Sequence, residues 1–572
     1  MLAGLGTQSA MEGVRDGKIR LANWRVGQRL ERVSLLLAIF GLPSLVIGTG
    51  RGFLGRFNGL HLPDPPVLLV WAALLAAALM LYASGKKWSL SLVAVLLAVE
   101  LLVASDTTAL NDGNLAEAYT AVRPSIAHLQ ADPDLSRTIA FTANTFDPGD
   151  LGEMRYMLKD VLRTEGIYDY IVATKHRETL TPNLPLAYGI PSLDGYDGGM
   201  LPLRDYVEFK SLLPITGSAA PDARLREQFG AIPDPTLLGG LNVKHILMDR
   251  TQDVWLENIY YDLAITTTLQ PGQEISLPAG GAFRATALGL LSYLEGAANL
   301  ANGSPIGVME IQTEDGANFT IELRAGQQSA EGGAGVASAV HDRPPEAGTS
   351  NAYYTRLELP SFRYLKHIRL RYTADIGVLH LRSLSAIDGR AKAGYSIGIS
   401  PWWRLAHLGD VKIYENLLWL PRAYLTHTTH TSRGWPESLT IMGRDDFVWG
   451  RSAVVEGQPP PMTDPHMDGH EWLEIVSYAP EQVVIRANAA SAGLLVLSDS
   501  YYPGWRATDN GEEVALWRVN HSMKAVALEP GLHTVVFYFQ PRSVYLGLGI
   551  SLASIVLLLS TILVRHHNWF RR

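Results

Sequence analysis

The sequence predicts a membrane protein of the α+β class, with four transmembrane helices and a large extracytoplasmic domain made of an α/β subdomain and β-sandwich modules. Three observations predict this. Four apolar stretches approach the length that crosses a bilayer, basic residues flank them in a consistent pattern, and the long segment 106–542 reads as short strands and helices. The chain has 572 residues, too many for one hydrophobic core. It is 47% hydrophobic and 18% charged, with the apolar excess gathered at the two ends. A net charge of −8 supplies no basic field, which argues against nucleic acid as a partner. The absence of cysteine excludes disulfides, thiolate catalysis and cysteine-ligated metal.

A bilayer core of about 30 Å takes about 20 helical residues to cross. The clearest span is Val544–Val564, uncharged and followed by Arg565, Arg571 and Arg572. Pro66–Ser84 is rich in Ala and Leu, Ser89–Ser105 carries Glu100, and Val33–Gly50 is interrupted by Pro43. A buried helix of a soluble protein is the alternative for each. Arg15, Lys18, Arg20, Arg25, Arg29 and Arg32 precede the first span, and Lys86 and Lys87 sit between the second and third. Placing these groups and the C-terminal arginines in the cytoplasm needs an even number of spans, and four fit. The first apolar segment starts late and lacks a small-residue cleavage site, so it reads as a span rather than a signal peptide. The expected order is a cytoplasmic segment 1–32, three helices in 33–105, an α/β subdomain 106–300, a β-sandwich 301–390, a membrane-proximal β-rich subdomain 391–542, a last helix 543–564 and a cytoplasmic tail 565–572.

Within 106–300, Arg137–Thr142 and Asn242–Met248 read as strands and Leu151–Arg163 as a helix. From Ile306 onward the pattern turns to strands: Val308–Gln312, Phe319–Arg324, Arg356–Leu359, Ile368–Tyr372 and Val378–Leu381 are short and turn-bounded. Gln327–Asn351, rich in Gly, Ala and Ser, reads as a long mobile loop. In the final β unit, Trp472–Gln540, Asn510-Gly511 marks a tight hairpin and Pro530-Gly531 a turn before the last span.

Several constellations have the chemistry of a binding site. Asp499, Tyr501, Tyr502 and Trp505 combine a carboxylate with aromatic faces, the residue types that hold sugars; the alternative is a strand end turned by Pro503-Gly504 with Trp505 packed inside. The loop with Asp194, Tyr196 and Asp197, followed by Arg204 and Asp205, is the second candidate, against a capped turn with a surface ion pair. Tyr414, Glu415, Asn416 and Arg422 form the third, against a buried structural network. His427 and His430, and His466 and His470 with Asp464 and Asp468, have ligand-like composition but lack helical spacing, so no metal and no cofactor is expected. Glu100 is an ionisable group in a span near its outer end, where it can serve function or simply reach the interface. Gly547, Gly549, Ser551 and Ala553 read as a helix-packing face.

Four segments together resemble the bacterial YfhO-type membrane protein family. They are Tyr188 to Asp197 with Leu201 to Tyr206, Leu237 to Leu247, Val411 to Asn416 with Leu420 to Tyr424, and Leu497 to Trp505 with the terminal span. The stretch from Ile306 to Asp388 looks like a jelly-roll, galactose-binding-like sugar module. The resemblance implies a relation to GT-C glycosyltransferases, which take a sugar from a polyprenyl-phosphate carrier and add it to an envelope polymer. The carboxylate of such enzymes is expected in the first outer loop, where this chain offers only Asp64. The chain resembles the C-terminal two-thirds of the family without the N-terminal helical bundle, so polyprenyl-phosphate-sugar-dependent transfer would need a missing or separately encoded half. The resemblance implies a multi-pass protein of the bacterial cytoplasmic membrane whose large domain faces outward as a component of cell-envelope glycan assembly. Expected partners are the lipid bilayer, an envelope glycan or polyprenyl-phosphate sugar, and a partner membrane subunit. The alternative is a non-enzymatic glycan-binding or scaffold membrane protein.

Overall fold

The computed structural model describes residues 115–142, 149–195, 202–216, 225–279, 283–332, 335–337, 351–462 and 470–570. The chain divides into two compact units, residues 1–116 with 158–170 and residues 117–157 with 171–572. The sheets and sites below belong to the second. Among the described residues the strands form sheets of four, nine, six and five strands and one two-stranded ribbon.

The four-stranded sheet runs in the order Arg137–Phe141, Val243–Met248, Lys412–Asn416, Trp403–Leu408, with the first pair parallel. Its side chains alternate between two cores: Ile139, Val243 and Ile246 on one face, Ala140, Leu247 and Ile413 on the other. Val243–Met248 is buried on both faces although it carries Lys244 and His245, which face Asp132 and Asp134. The helix Pro235–Gly240 leads into it, capped by Asp234, whose carboxylate accepts from the amides of Thr236 at 2.8 Å and Leu237 at 3.3 Å. A Cβ on Gly239 would lie 2.1 Å from the Leu418 carbonyl oxygen, and one on Gly240 would lie 2.1 Å from the Trp449 ring. The paired glycines therefore let this helix seat directly on the neighbouring backbone and indole.

The nine-stranded sheet extends from Thr267 to Ile397. Its longest strand, Asn351–Tyr372, pairs with Arg284–Glu295 through its first half and with Pro305–Thr313 through its second, after a register shift between Glu358 and Arg363. Leu288, Leu290, Ile311 and Ile368 meet in its core, while Ala287 and Leu291 pack on the other face with Tyr261. Of the segment expected to be a long loop, Gln327–Gly332 and Gly335–Ala337 are described; Ser329 and Ala330 are buried and Gly335–Ala337 pairs as a strand.

The six-stranded and five-stranded sheets face each other. Leu495, Leu497 and Val526 of the first share a core with Val483, Ile485, Val535 and Phe537 of the second. The alternate residues Leu494, Val496 and Ala525 point the other way, into the core shared with the four-stranded sheet. Each such side chain contributes about 1.5–3 kcal/mol by leaving water, so the strand Gly493–Ser500 fastens two cores at once. Asn510 (φ 50°) and Gly511 (φ 89°) make the expected hairpin turn. The strand Gly531–Phe539 then passes through Gln540 and Pro541 into the helix Arg542–Phe570.

That helix corrects the expected fold class. Arg542–Thr561 is the one helix among the described residues long and apolar enough to cross a membrane, and none of its hydrophobic residues is buried. The protein is 43% strand and 20% helical, so it is mainly β rather than a four-helix-spanning α+β protein. The physical reason is tertiary: the Ala- and Leu-rich Arg284–Glu295 is a 12-residue strand because burial on both faces of the nine-stranded sheet overrides its helix preference, and the helix expected at Leu151–Arg163 closes at Leu158. The apolar segments Val33–Gly50, Pro66–Ser84 and Ser89–Ser105, with Asp64 and Glu100, lie outside the described residues.

Candidate functional site

Asp499 is the hub of the interior polar cluster. The Arg137 Nη2 donates to the Ser498 carbonyl at 2.9 Å and to Asp499 Oδ1 at 3.2 Å, while its Nη1 donates to the Leu241 carbonyl at 2.8 Å. Arg422 donates from Nη1 to Asn242 Oδ1 at 2.9 Å and from Nη2 to the Tyr478 hydroxyl at 2.8 Å. Its Nε lies 3.1 Å from Asp499 Oδ1 but is not aligned for a hydrogen bond. The Tyr478 hydroxyl donates to the same carboxylate at 3.1 Å. These contacts join the four-, six- and five-stranded sheets at one point. Burial, reinforced by the nearby Arg422, pulls the Arg137 guanidinium down to about 10 despite Asp499.

A third cation completes this group. Lys524 is fully buried, its ammonium makes no hydrogen bond, and it sits 3.4 Å from the centre of the Trp505 ring. Burial pulls it down to about 8, against the pull of Asp499. Trp505 thus has one face occupied from within, and Asp499 has its oxygens committed to protein donors.

Next to the hub lies a cavity of about 230 Å³. Its polar wall is made by Arg137, Ser498, Ser500, Tyr501 and Ser522, and its apolar wall by Leu193, Tyr206, Phe209 and Met523. Asp205 stands at the same cavity. The helix Arg204–Phe209 carries Asp205, Tyr206 and Phe209; Arg204 and Glu208, one turn apart, pair at 2.6 Å and Asp205 sits in its first turn. The opposite side is set by a left-handed turn at Asn520 (φ 46°) and His521 (φ 65°). Asn520 tolerates that conformation and is tied down by Tyr424 at 3.0 Å and the Val454 amide at 2.8 Å.

Asp205, Glu208 and His521 bring three potential ligand atoms within 4.8 Å of one another. Arg518 lies 3.3 Å from Asp205, Arg204 holds Glu208, and the His521 Nε2 donates to the Asp205 carbonyl at 3.0 Å. Two guanidiniums already neutralise the carboxylates, so the donor set fits an ion-pair cluster better than a metal. His427 faces Glu471 at 3.0 Å and His430 packs on Phe447. His470 is described, whereas His466, Asp464 and Asp468 lie outside the described residues.

The other expected site residues are dispersed. Asp194 is buried, accepts from the Leu225 amide at 2.7 Å and pairs with Arg226 at 2.5 Å; burial pushes its carboxyl up while Arg226 opposes this. Tyr196 and Asp197 lie outside the described residues. Arg204 is largely exposed, 5.9 Å from the Trp435 ring. The buried Tyr414 hydroxyl donates to Asp262, which raises its ordinary value further beyond the effect of burial. Lys412 joins them, 2.7 Å from Asp253 and 2.6 Å from Asp262. Glu415 pairs with Arg404. Asn416 is a clamp, donating to the Pro235 carbonyl at 2.7 Å and the Val243 carbonyl at 3.2 Å. Of the aromatic group, Tyr501 lines the cavity and Tyr502 is exposed near Phe539. Sequence reasoning missed Arg137, Tyr478, Lys524 and Ser522; a basic residue opening an apolar strand was the only local signal for the first.

A β unit continuous with an exposed apolar helix defines a membrane-anchored protein. Residues 466–551 match the family model described as bacterial membrane protein YfhO, so the resemblance to that family holds over the membrane-proximal β unit and the start of its helix. The match and the helix together place the protein at a membrane. No curated protein matches the chain. Among solved structures, the arabinofuranosyltransferase AftD from Mycobacteria is matched at 12% identity over 54% of this chain, with a TM-score of 0.15. Its R1389S mutant, class 1, is matched at 13% identity over 54% of this chain, with a TM-score of 0.14. The chain covers a quarter of either structure's length, and overlays of this quality carry no argument about fold or activity.

Proposed function

We propose that this protein is a membrane-anchored component of cell-envelope glycan assembly that holds a sugar of the growing polymer in the cavity beside Asp499. The β units face the extracytoplasmic side in this reading, and transfer chemistry of the GT-C type, with its polyprenyl-phosphate donor, belongs to a partner membrane subunit. The observation that carries the reading is the cavity's two-sided wall. Hydroxyls of Ser500, Tyr501 and Ser522 and the Arg137 guanidinium face one side, and Leu193, Tyr206 and Phe209 the other. Sugars present this same division between hydroxyl edges and apolar ring faces. At about 230 Å³ the space is below the roughly 300–1,000 Å³ usual for drug-sized ligands. It suits one ring rather than a chain. The YfhO match supports membrane attachment.

The test is a titration of the full-length protein in detergent micelles with methyl glycosides of galactose, glucose and arabinose. Ser522→Phe fills the cavity from a half-buried position. It should abolish binding of the preferred glycoside while the melting temperature stays within a few degrees. Binding that survives Ser522→Phe removes the cavity from the account.

A further inference from the structure

The nine-stranded sheet borders a second, larger depression, open to solvent and about 1000 Å³ in volume, which shares no residue with the cavity beside Asp499. Three features mark it as more than a surface irregularity. The first is Arg382. Its Nη1 donates to the Thr266 hydroxyl at 2.8 Å, while its Nε is buried with no hydrogen-bond partner. Burial pulls its guanidinium down, and the one charge-bearing group acting on it is the Tyr293 phenol rather than a carboxylate. It remains cationic at neutral pH, because arginine titrates far above that range. Glu274 and Asp234 also border the depression, but neither is among the groups acting on Arg382, and Asp234 is engaged in capping the helix Pro235–Gly240. Among the described residues this half-buried guanidinium has no carboxylate partner, which is costly unless something anionic completes it.

The second feature is Trp402, whose side chain is 47% exposed at the rim. Its position is not loose. The Trp402 amide donates to Ser400 Oγ at 3.2 Å, and its carbonyl accepts from the Leu417 amide at 2.9 Å. A large aromatic face is thus held on a pinned backbone beside an unpaired cation. The third is the run Thr266-Thr267-Thr268 along the wall: the Thr266 hydroxyl accepts from Arg382, that of Thr267 donates to the Ile399 carbonyl, and Thr268 is exposed.

We propose that this groove binds an extended acidic saccharide, with an acidic group on Arg382 and a sugar ring stacked on Trp402. At about 1000 Å³ the groove has room for several sugar residues, where the cavity of about 230 Å³ suits one. The inference rests on the glycan-assembly reading for its ligand class but on its own residues for its site. The wall mixes apolar side chains such as Ile232, Met248 and Ile275 with hydroxyls, so an acidic peptide is the competing occupant that the triglutamate arm tests.

The experiment titrates the full-length protein in micelles with trigalacturonate, maltotriose and triglutamate by calorimetry. Trigalacturonate should bind at least tenfold more tightly than maltotriose. Arg382→Met, which keeps the buried stem, should remove that preference, since a hydrogen bond to a charged group accounts for about a ten- to hundredfold change in affinity. Trp402→Ala should weaken trigalacturonate by about tenfold with no change in melting temperature. Ser522→Phe, which fills the other cavity, should leave trigalacturonate binding untouched, so failure of the cavity reading and failure of this one are separable. The proposal falls if trigalacturonate does not bind, if maltotriose or triglutamate binds equally well, if Trp402→Ala has no effect, or if Ser522→Phe abolishes binding.

Discussion

Replacing Asp499 with asparagine tests the interior hub directly. The carboxylate faces two guanidiniums and a phenol, and the side chains of Arg137, Asp499 and Arg422 are 15%, 16% and 5% exposed. Solvent therefore screens little of the interaction. Asp499→Asn keeps the shape and removes the only anion, leaving Arg137, Arg422 and Lys524 as neighbouring buried cations. Breaking a buried pair from one side costs about 3–5 kcal/mol. At about 2.1 cal/mol/K per residue, the large unit that holds the hub loses about 1 °C of melting temperature per kcal/mol, so it should melt about 3–5 °C lower. The assay is thermal unfolding of the full-length protein in micelles, followed by near-ultraviolet circular dichroism. The double variant Asp499→Asn with Arg137→Met should recover part of the loss, because one of the surplus charges leaves with its partner. A shift of less than about 2 °C, or no recovery in the double variant, would refute the claim that charge balance holds these sheets together.

Other outcomes follow from the same physics. Lys524 has a folded value of about 8, below its ordinary 10.5, so the unfolded chain binds more protons between those values and stability should rise with pH from about 8 to 10.5. Lys524→Met should be more stable at pH 7 and lose that rise in melts taken across the range. His245, pulled to about 4 chiefly by burial, stays neutral while the unfolded chain protonates, so stability should fall as pH drops from 6.5 towards 4; His245→Asn should flatten the slope. Gly239→Ala drives a Cβ into the Leu418 backbone and should leave little folded protein in size-exclusion profiles, since backbone cannot swing aside. A cysteine at the exposed Glu314, introduced on the cysteine-free background, should react with an impermeant maleimide on intact cells; protection there until lysis would reverse the proposed sidedness.

What could be read from the sequence divides along physical lines. Asn510-Gly511 announces its turn because few other residue pairs adopt two successive positive φ values. Val243 to Leu247 reads as a buried strand from Val243, Ile246 and Leu247, and its Lys244 and His245 are buried with it. Arg284–Glu295 escapes the same reasoning: it is built from Ala and Leu, good helix formers, and burial on both faces erases the alternation that would mark a strand. The candidate site shows the same limit. Asp499 and its aromatic neighbours stand out locally, but the partners that decide their roles come from afar, Arg137 from 362 residues away. Likewise Asp194, the prominent acid of its loop, turns inward to Arg226, and Asp205, in the first turn of the helix Arg204–Phe209, borders the cavity instead. Local chemistry locates polar clusters; only the pairing of distant strands says whether they are bonded to the protein or open to a ligand.

The join between the last strand and the apolar helix has a mechanical meaning. Two residues, Gln540 and Pro541, separate Phe539 from Arg542, a tether of at most about 7 Å. The Gln540 amide is further tied to the Gly504 carbonyl at 2.7 Å, and a side chain on Gly504 would press on Pro541 at 3.0 Å. The β unit therefore cannot swing like a flag on a cord. Its height above the bilayer is fixed by the helix, and a tilt of the helix leans the whole sheet stack with it. With 29 residues the helix is about 43 Å long, and its apolar part, Arg542–Thr561, is about 30 Å, the thickness of a hydrocarbon core. Membrane thickness thus becomes a lever: a thinner bilayer tips the rod, and the tip carries the sugar-sized cavity closer to the lipid surface.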